Sequence, residues 1–377
     1  MTKDRVREGG ARRAGARSWR LAVALLAAAG LIMLVAALAS RAQSGGPADT
    51  GGLPVPAAGA PVAVTGPVSG GPAAGPASGP TARTARPRVE VAFRAAWGSG
   101  PADLGHTRPQ EGNPEGPMSF AVDRGGRVLV LDQVNSRVQI FAAGKVAGSV
   151  PLPADTFQDI EARPDGAVVL LDRLGRRAVV FAEAGGRVTG EVPLVGAGVA
   201  EGGGVTGLFQ RDDGTWVEVE HRDLVRIADA GGRGDPNRPI TPGRPTGDGR
   251  AFLRAALDGR EAAVVLRQAR DAAAFTPLAR VTFPAPILHL SALESDRQGR
   301  IFLAAALLRR LGDEGSRTDE AEVVAILGPD GADLGRVTLP PRLGPEEVFR
   351  PIRLGADGNV YQMSWDESGV TMRRILP

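Results

Sequence analysis

Asp132, Asn135 and Arg137 fall within six residues of one another in the stretch GGRVLVLDQVNSRVQIF, residues 125–141. A carboxylate accepts hydrogen bonds, an amide both donates and accepts, and a guanidinium carries five donors on a fixed positive charge. Placed that closely, the three have the makings of a small polar active site. They also have the makings of a tight turn, because Asp and Asn side chains bond readily to nearby backbone N–H groups. The two readings predict different things about the rest of the chain.

Forty positions downstream the stretch returns. SFAVDRGGRVLVLDQVNSRVQIF (119–141) aligns without a gap to DIEARPDGAVVLLDRLGRRAVVF (159–181). Gly126 matches Gly166, Asp132 matches Asp172, Arg137 matches Arg177 and Phe141 matches Phe181. A building block recurs at a fixed period, whereas an active site seldom does. Asp132 and Asp172 therefore read as fixings of a repeat, each accepting backbone hydrogen bonds in its turn, with the following Arg paired to a nearby acid. Val128 to Leu131 is apolar without alternation, as expected of a strand buried on both faces. Residues 138–141 supply its antiparallel partner.

Weaker copies continue at 211–229, 247–269, 294–306 with 322–339, and 354–376. Six units of 40–55 residues, rich in Gly and Pro and nearly free of helical periodicity, predict an all-β chain. The small turn, GRVLVLD, polar turn and RVQIF pattern resembles the NHL repeat. The resemblance implies a six-bladed β-propeller with four antiparallel strands per blade and the first strand along a central channel. It also implies ring closure by a blade drawing strands from both ends of the body. RVEVAFRA (88–95) is the candidate closing strand, with Val89, Val91 and Phe93 facing inward against residues 370–376.

Upstream of the body the chain is of another kind. Residues 1–20 are basic, and Leu21 to Ala39 is a run of nineteen residues without a charge. At ~1.5 Å per residue that run spans roughly 28 Å, the thickness of a bilayer core. The reading is a cytoplasmic tail (1–20) and a transmembrane signal anchor (21–39), with the rest outside a bacterial inner membrane, on the periplasmic side. The alternative is secretion after signal cleavage near Ala39. Residues 42–87 hold 30 Gly, Pro or Ala in 46 positions, too little apolar bulk to fold, and read as a disordered linker. The propeller domain then occupies 88–377.

Composition closes off several chemistries. The chain has 377 residues and no Cys, which excludes disulfides, thiolate nucleophiles and thiolate metal sites. Its three His residues show no metal-binding spacing, so no metal and no cofactor is expected. The sequence pI near 10 comes from the tail: residues 1–41 hold eight Lys/Arg against two Asp/Glu, and the remainder 37 against 40. Nothing in the body argues for nucleic acid. HRDL (221–224) has no companion kinase motifs, and GAGVAEGGG (196–204) has Glu201 where a dinucleotide fingerprint needs glycine.

Two functional expectations follow. The first is a binding or scaffold module for a protein, peptide or glycan, not an enzyme. Its contact face gathers Arg137, Arg173, Arg176, Arg177, Arg222, Arg309 and Arg310 on the turns between second and third strands. The alternative is a lactonase-like propeller hydrolase or lyase. For that, the resemblance directs attention to acids at or near inner-strand positions, Asp123, Glu161 and Glu294, and to His289.

Overall fold

The computed structural model describes residues 87–311, 317–341 and 347–376, with the backbone alone over 309–311 and 317–319. Residues 1–20, the apolar run 21–39 and the linker up to residue 86 lie outside the described residues. Among the described residues no helix is long and apolar enough to cross a membrane.

The body is built from four-stranded antiparallel sheets. Blade one comprises β2 (Phe120–Val122), β3 (Val128–Asp132), β4 (Arg137–Ala142) and β5 (Lys145–Pro151). Blade two repeats it with β6 (Asp159–Ala162), β7 (Val168–Asp172), β8 (Ala178–Ala182) and β9 (Val188–Pro193). Blade three holds β10 (Val205–Arg211), β11 (Gly214–Val219), β12 (Asp223–Ala228) and the two-residue β13 (Ile240–Thr241). Blade four runs from an equally short β14 (Arg244–Pro245) through β15 (Ala251–Leu257), β16 (Ala262–Ala269) and β17 (Thr276–Thr282). Blade five contains β18 (Ile287–Ser295), the long hairpin β19 (Ile301–Leu311) and β20 (Arg317–Leu327), and β21 (Asp333–Leu339). Blade six takes β22 (Ile352–Leu354), β23 (Val360–Asp366) and β24 (Gly369–Leu376) from the C-terminus and β1 (Arg88–Ala96) from the N-terminal side. The fold is a six-bladed β-propeller.

The unbroken apolar strands follow from this stacking. All five residues of β3 are buried, and so are all five of β7. Alternate side chains point to opposite neighbours: Val128 and Val130 pack with Tyr361 and Met363 of blade six, while Leu129 and Leu131 pack with Ile160 and Leu170 of blade two. These two second strands are therefore core on both faces, which is why no polar alternation appears in them. Gly126 and Gly166, in the turns before these strands, adopt φ of 73° and 83°. A Cβ at Gly166 would meet nothing within 4 Å, so the backbone angle rather than space calls for glycine there.

Ring closure uses β1, but not in the expected register of faces. β1 pairs with β24 from Arg88↔Leu376 to Ala96↔Gly369, with a β-bulge between Val91 and Phe93. The extra residue reverses the alternation. Phe93 is buried and stacks on Phe141 with centroids 3.8 Å apart, whereas Val89 and Val91 are 39% and 46% exposed. Of the three residues expected inside, only Phe93 is.

Candidate functional site

Strands alternate in direction, so the turns between second and third strands share one face with the blade-to-blade connections. The turns between first and second strands share the opposite one. These are called upper and lower here.

On the upper face Asp132 is fully buried. It accepts from the Gly105 N–H (2.7 Å), Asn135 Nδ2 (2.9 Å) and Arg137 Nε (2.9 Å). Arg137 also donates to the carbonyls of Gly100 (2.9 Å) and Asp103 (2.6 Å), and Asn135 to that of Gly98 (2.9 Å). The trio clamps the lead-in segment to blade one. Asp172, equally buried, accepts from the Gly175 N–H (2.7 Å) and the Thr156 hydroxyl (2.5 Å), so it likewise ties the incoming connection to its blade. Arg177 does not copy Arg137. It sits at φ 51°, in a differently shaped turn, and its side chain is exposed.

Of the seven upper-face arginines, the five with described side chains are not brought into one site. Arg137 is committed as described, and Arg173 donates to the Gly203 and Val205 carbonyls while stacking on Phe349. Arg176 pairs with Glu191, Arg177 and Arg222 are exposed, and the side chains of Arg309 and Arg310 lie outside the described residues.

The lower face opens into a cavity of about 1390 Å³, walled by the first-to-second-strand turns of the blades. Its floor is ionic. Asp159, at the head of β6, is fully buried and accepts from the Ser119 hydroxyl (2.5 Å) and the N–H groups of Ile160 and Leu208 (each 2.9 Å). It also receives Arg353 at 3.1 Å and Arg350 at 3.4 Å. Both guanidiniums link several blades. Arg353, from blade six, also donates to the carbonyls of Phe120 and Ile160 in blades one and two and to Glu161. Arg350 donates to the Leu208 carbonyl (2.6 Å) and Glu294 (2.9 Å), and lies 4.3 Å from the centre of the Phe209 ring. Arg244 makes a two-pronged pair with buried Glu218 (2.6 and 2.9 Å) and reaches Glu294 at 3.6 Å.

Four carboxyls thus meet three guanidiniums. Burial would raise Glu218, but the Arg244 charge together with hydrogen bonds from His221 and Arg244 outweighs it and holds the carboxyl below the usual range. Glu161 goes the other way. Burial pushes it up to about 7 against the opposing pull of Arg353 and Arg350, and the neighbouring Asp159 and Glu294 charges add to the rise. Glu161 and Glu294 keep 17% and 16% side-chain exposure and both line the cavity, as does Arg244.

Of the acids singled out in the sequence, Glu161 and Glu294 therefore converge on Arg350. Asp123 does not join them. It holds its own turn at the rim, accepting from the N–H groups of Gly125 and Arg127 and pairing with the Arg127 guanidinium at 2.6 Å. His289 lies towards the opposite end of β18 from Glu294 and does not line the cavity. Among the described residues no group of three or more His, Asp or Glu is arranged to hold a metal ion.

No protein-family model and no curated protein matches the chain. Solved structures similar to it include a DUF4221 family member from Bacteroides vulgatus, at 10% identity and TM-score 0.45, covering 77% of this chain and 98% of that one. A gluconolactonase from Xanthomonas campestris aligns at 15% identity and TM-score 0.42, covering 77% and 89%. Virginiamycin B lyase from Staphylococcus aureus aligns at 12% identity and TM-score 0.37, covering 69% and 94%.

Sequence reasoning missed Asp159, Glu218, Arg244, Arg350 and Arg353. One signal was present: the forty-residue offset sets Asp159 against Ser119 and Glu161 against Ala121, charges where the first copy has small residues.

Proposed function

We propose that the propeller is a binding module whose lower-face bowl takes a polar ligand, a peptide or glycan. The observation that carries this reading is the floor itself. Its guanidiniums are held rigid by Asp159, Glu218 and backbone carbonyls, while the Glu161 and Glu294 carboxyls still face the cavity. A preorganised polar floor under a wide mouth suits recognition, because the polar groups need no reordering on binding. In the same reading the body stands outside a bacterial inner membrane, tethered by residues 21–39 and the linker, and its blades are NHL-like. The support for those statements is the charge pattern of the tail and the motif shared by 119–141 and 159–181.

A second reading, hydrolase or lyase chemistry in the bowl, is favoured by one observation. A carboxyl raised to about 7 is poised to exchange protons near neutral pH. The two readings part under a screen of peptides, glycans and lactones against the full chain in detergent, following both thermal shift and turnover. Arg297→Trp alters an exposed side chain on the cavity wall and should abolish ligand-induced stabilisation without changing the unliganded melting temperature. Ligands that stabilise wild type and Arg297→Trp equally would remove the bowl from consideration. Turnover lost in Glu161→Gln would favour the second reading.

A further inference from the structure

We infer that the bowl recognises an alkylammonium group, the side chain of a lysine presented by a peptide, seated between Glu161 and Glu294 on the cavity floor. The inference rests on the bowl being the binding site.

Three observations carry it. First, each glutamate commits one oxygen inward. Oε1 of Glu161 takes Arg353 and lies 3.7 Å from Arg350, and Oε1 of Glu294 takes Arg350 at 2.9 Å with Arg244 at 3.6 Å. Among the described residues no donor bonds to Oε2 of either, and neither oxygen is a buried unpaired atom. Two acceptors from opposite blades, two and five, therefore remain open to the cavity. Acceptors ask for a donor, and an ammonium supplies three N–H groups at once.

Second, the floor carries four carboxyls against three guanidiniums. His221, 74% exposed, lies 3.4 Å from Glu218 rather than by Glu161 or Glu294, and against the guanidiniums alone one negative charge is unmatched when all four carboxyls are ionised. A proton on Glu161 is one way to settle the balance, and a ligand cation is the other. The charged groups facing Glu161 are Arg353 of β22, Arg350 just before it, Asp159 on its own strand and Glu294 of β18. An ammonium seated against the Glu161 carboxyl favours its ionised form, so binding should expel the Glu161 proton.

Third, the rim has the opposite lean. Six arginines line it above five aspartates, and Arg297 has no acid partner among the described residues. A ligand with a cationic tip and a body rich in carbonyl acceptors matches both levels, which is the layout of a lysyl peptide. A free polyamine would set further positive charge against the arginine rim. A divalent metal would have to sit beside Arg350 with only two open carboxylate oxygens. The cavity's about 1390 Å³ leaves room for several residues of peptide around the side chain.

Calorimetry of the full chain in detergent with acetyl-Gly-Lys-Gly-amide tests this, against the same peptide with norleucine, against cadaverine and against calcium chloride. The lysyl peptide should bind at least tenfold more tightly than the norleucine one. Its affinity should rise from pH 6 to pH 8, and binding near pH 7 should release up to one proton, seen as heat that varies with the buffer. Glu161→Gln should weaken binding at least tenfold and abolish the proton release while keeping a cooperative melt, and Glu294→Gln should weaken binding with release retained. Equal binding of the norleucine peptide would overturn the ammonium, yet leave the bowl reading intact if Arg297→Trp blocks both peptides. Tighter binding of cadaverine or calcium, or no binding of the lysyl peptide at millimolar concentration, would overturn the inference. The bowl reading would then stand or fall on the wider screen alone.

Discussion

Asp132 on the upper face and Asp159 on the channel floor are both fully buried aspartates that receive backbone N–H groups and an arginine, yet they do different work. Around Asp132 the charges balance one to one. Nη2 of Arg137 donates to two carbonyls, and the whole constellation serves to pin the lead-in segment. Around Asp159 the balance fails by one carboxyl, and two acids stay open to a cavity. The residue types are shared; charge bookkeeping and residual exposure separate a fixing from a site. Sequence alone offers the Asp132 trio as the more tempting chemistry, because its members are neighbours in the chain.

The comparison breaks most visibly at Asp159. Asp159→Ala takes the buried acceptor from the Ser119 hydroxyl and from the N–H groups of Ile160 and Leu208, while Arg350 keeps Glu294 and Arg353 keeps Glu161. Orphaning a buried donor costs about 1–3 kcal/mol, and here three donors lose their acceptor together. Denaturant unfolding should show a loss in or above that range, with ligand binding abolished. A loss below 1 kcal/mol would mean that the floor does not organise the ring.

The pH dependence of the floor comes next. Because folding raises the Glu161 carboxyl from 4.5 to about 7, the folded state binds the extra proton between those values. The group's effect on stability is therefore neutral below about pH 4, turns increasingly unfavourable up to pH 7 and is constant above it. The full excursion is on the order of 3 kcal/mol. Glu161→Gln cannot ionise, so the variant should gain on wild type by about that amount as pH goes from 4 to 8. A constant difference between the two across this range would show that Glu161 titrates normally.

A third measurement sharpens the comparison inside the repeat. Asp132→Ala and Asp172→Ala both orphan donors, at about 1–3 kcal/mol. The first should cost more, because it also strips Arg137 of the one acid it pairs with among the described residues, whereas Asp172 holds a hydroxyl and an N–H. Thermal melts that reverse this order would contradict the clamp. Ligand affinity in the bowl should be unchanged in both.

How much of this was legible follows from where each residue's partners lie in the chain. The blades were readable because the strand, turn and strand of one unit are contiguous, so Gly126, Asp132 and Phe141 return as Gly166, Asp172 and Phe181. The closing strand was readable as an element, but the bulge at Val91–Phe93 was not, since nothing local to RVEVAFRA signals an extra residue opposite β24. The floor was the least legible part. Arg353 and Asp159 are 194 residues apart, Arg350 and Leu208 142, and only the closed ring sets them side by side. Arg350 and Arg353 flank a buried Ile352 in RPIRL, a pattern that by itself reads as an exposed strand start.

The smallest expected effect on stability lies at the mouth of the bowl, and it tests whether exposure alone tells function from fixing. Arg124, in the first turn of blade one, pairs at 2.9 Å with Asp212 in the corresponding turn of blade three, past the turn of blade two. The side chains are 55% and 89% exposed, and such pairs contribute about 0.2–1 kcal/mol. Arg124→Ala should therefore lower stability by less than about 1 kcal/mol, well short of the Asp132 and Asp159 variants. Both residues line the cavity, however, so the pair forms a weak bar across its entrance. Opening it should raise the association rate of a bowl ligand, and added salt, which screens exposed charges, should bring wild type towards the variant. Stopped-flow binding at low and high ionic strength would measure this. A variant that loses stability as Asp132→Ala does, with an unchanged association rate, would reassign Arg124 to the fixings of the fold.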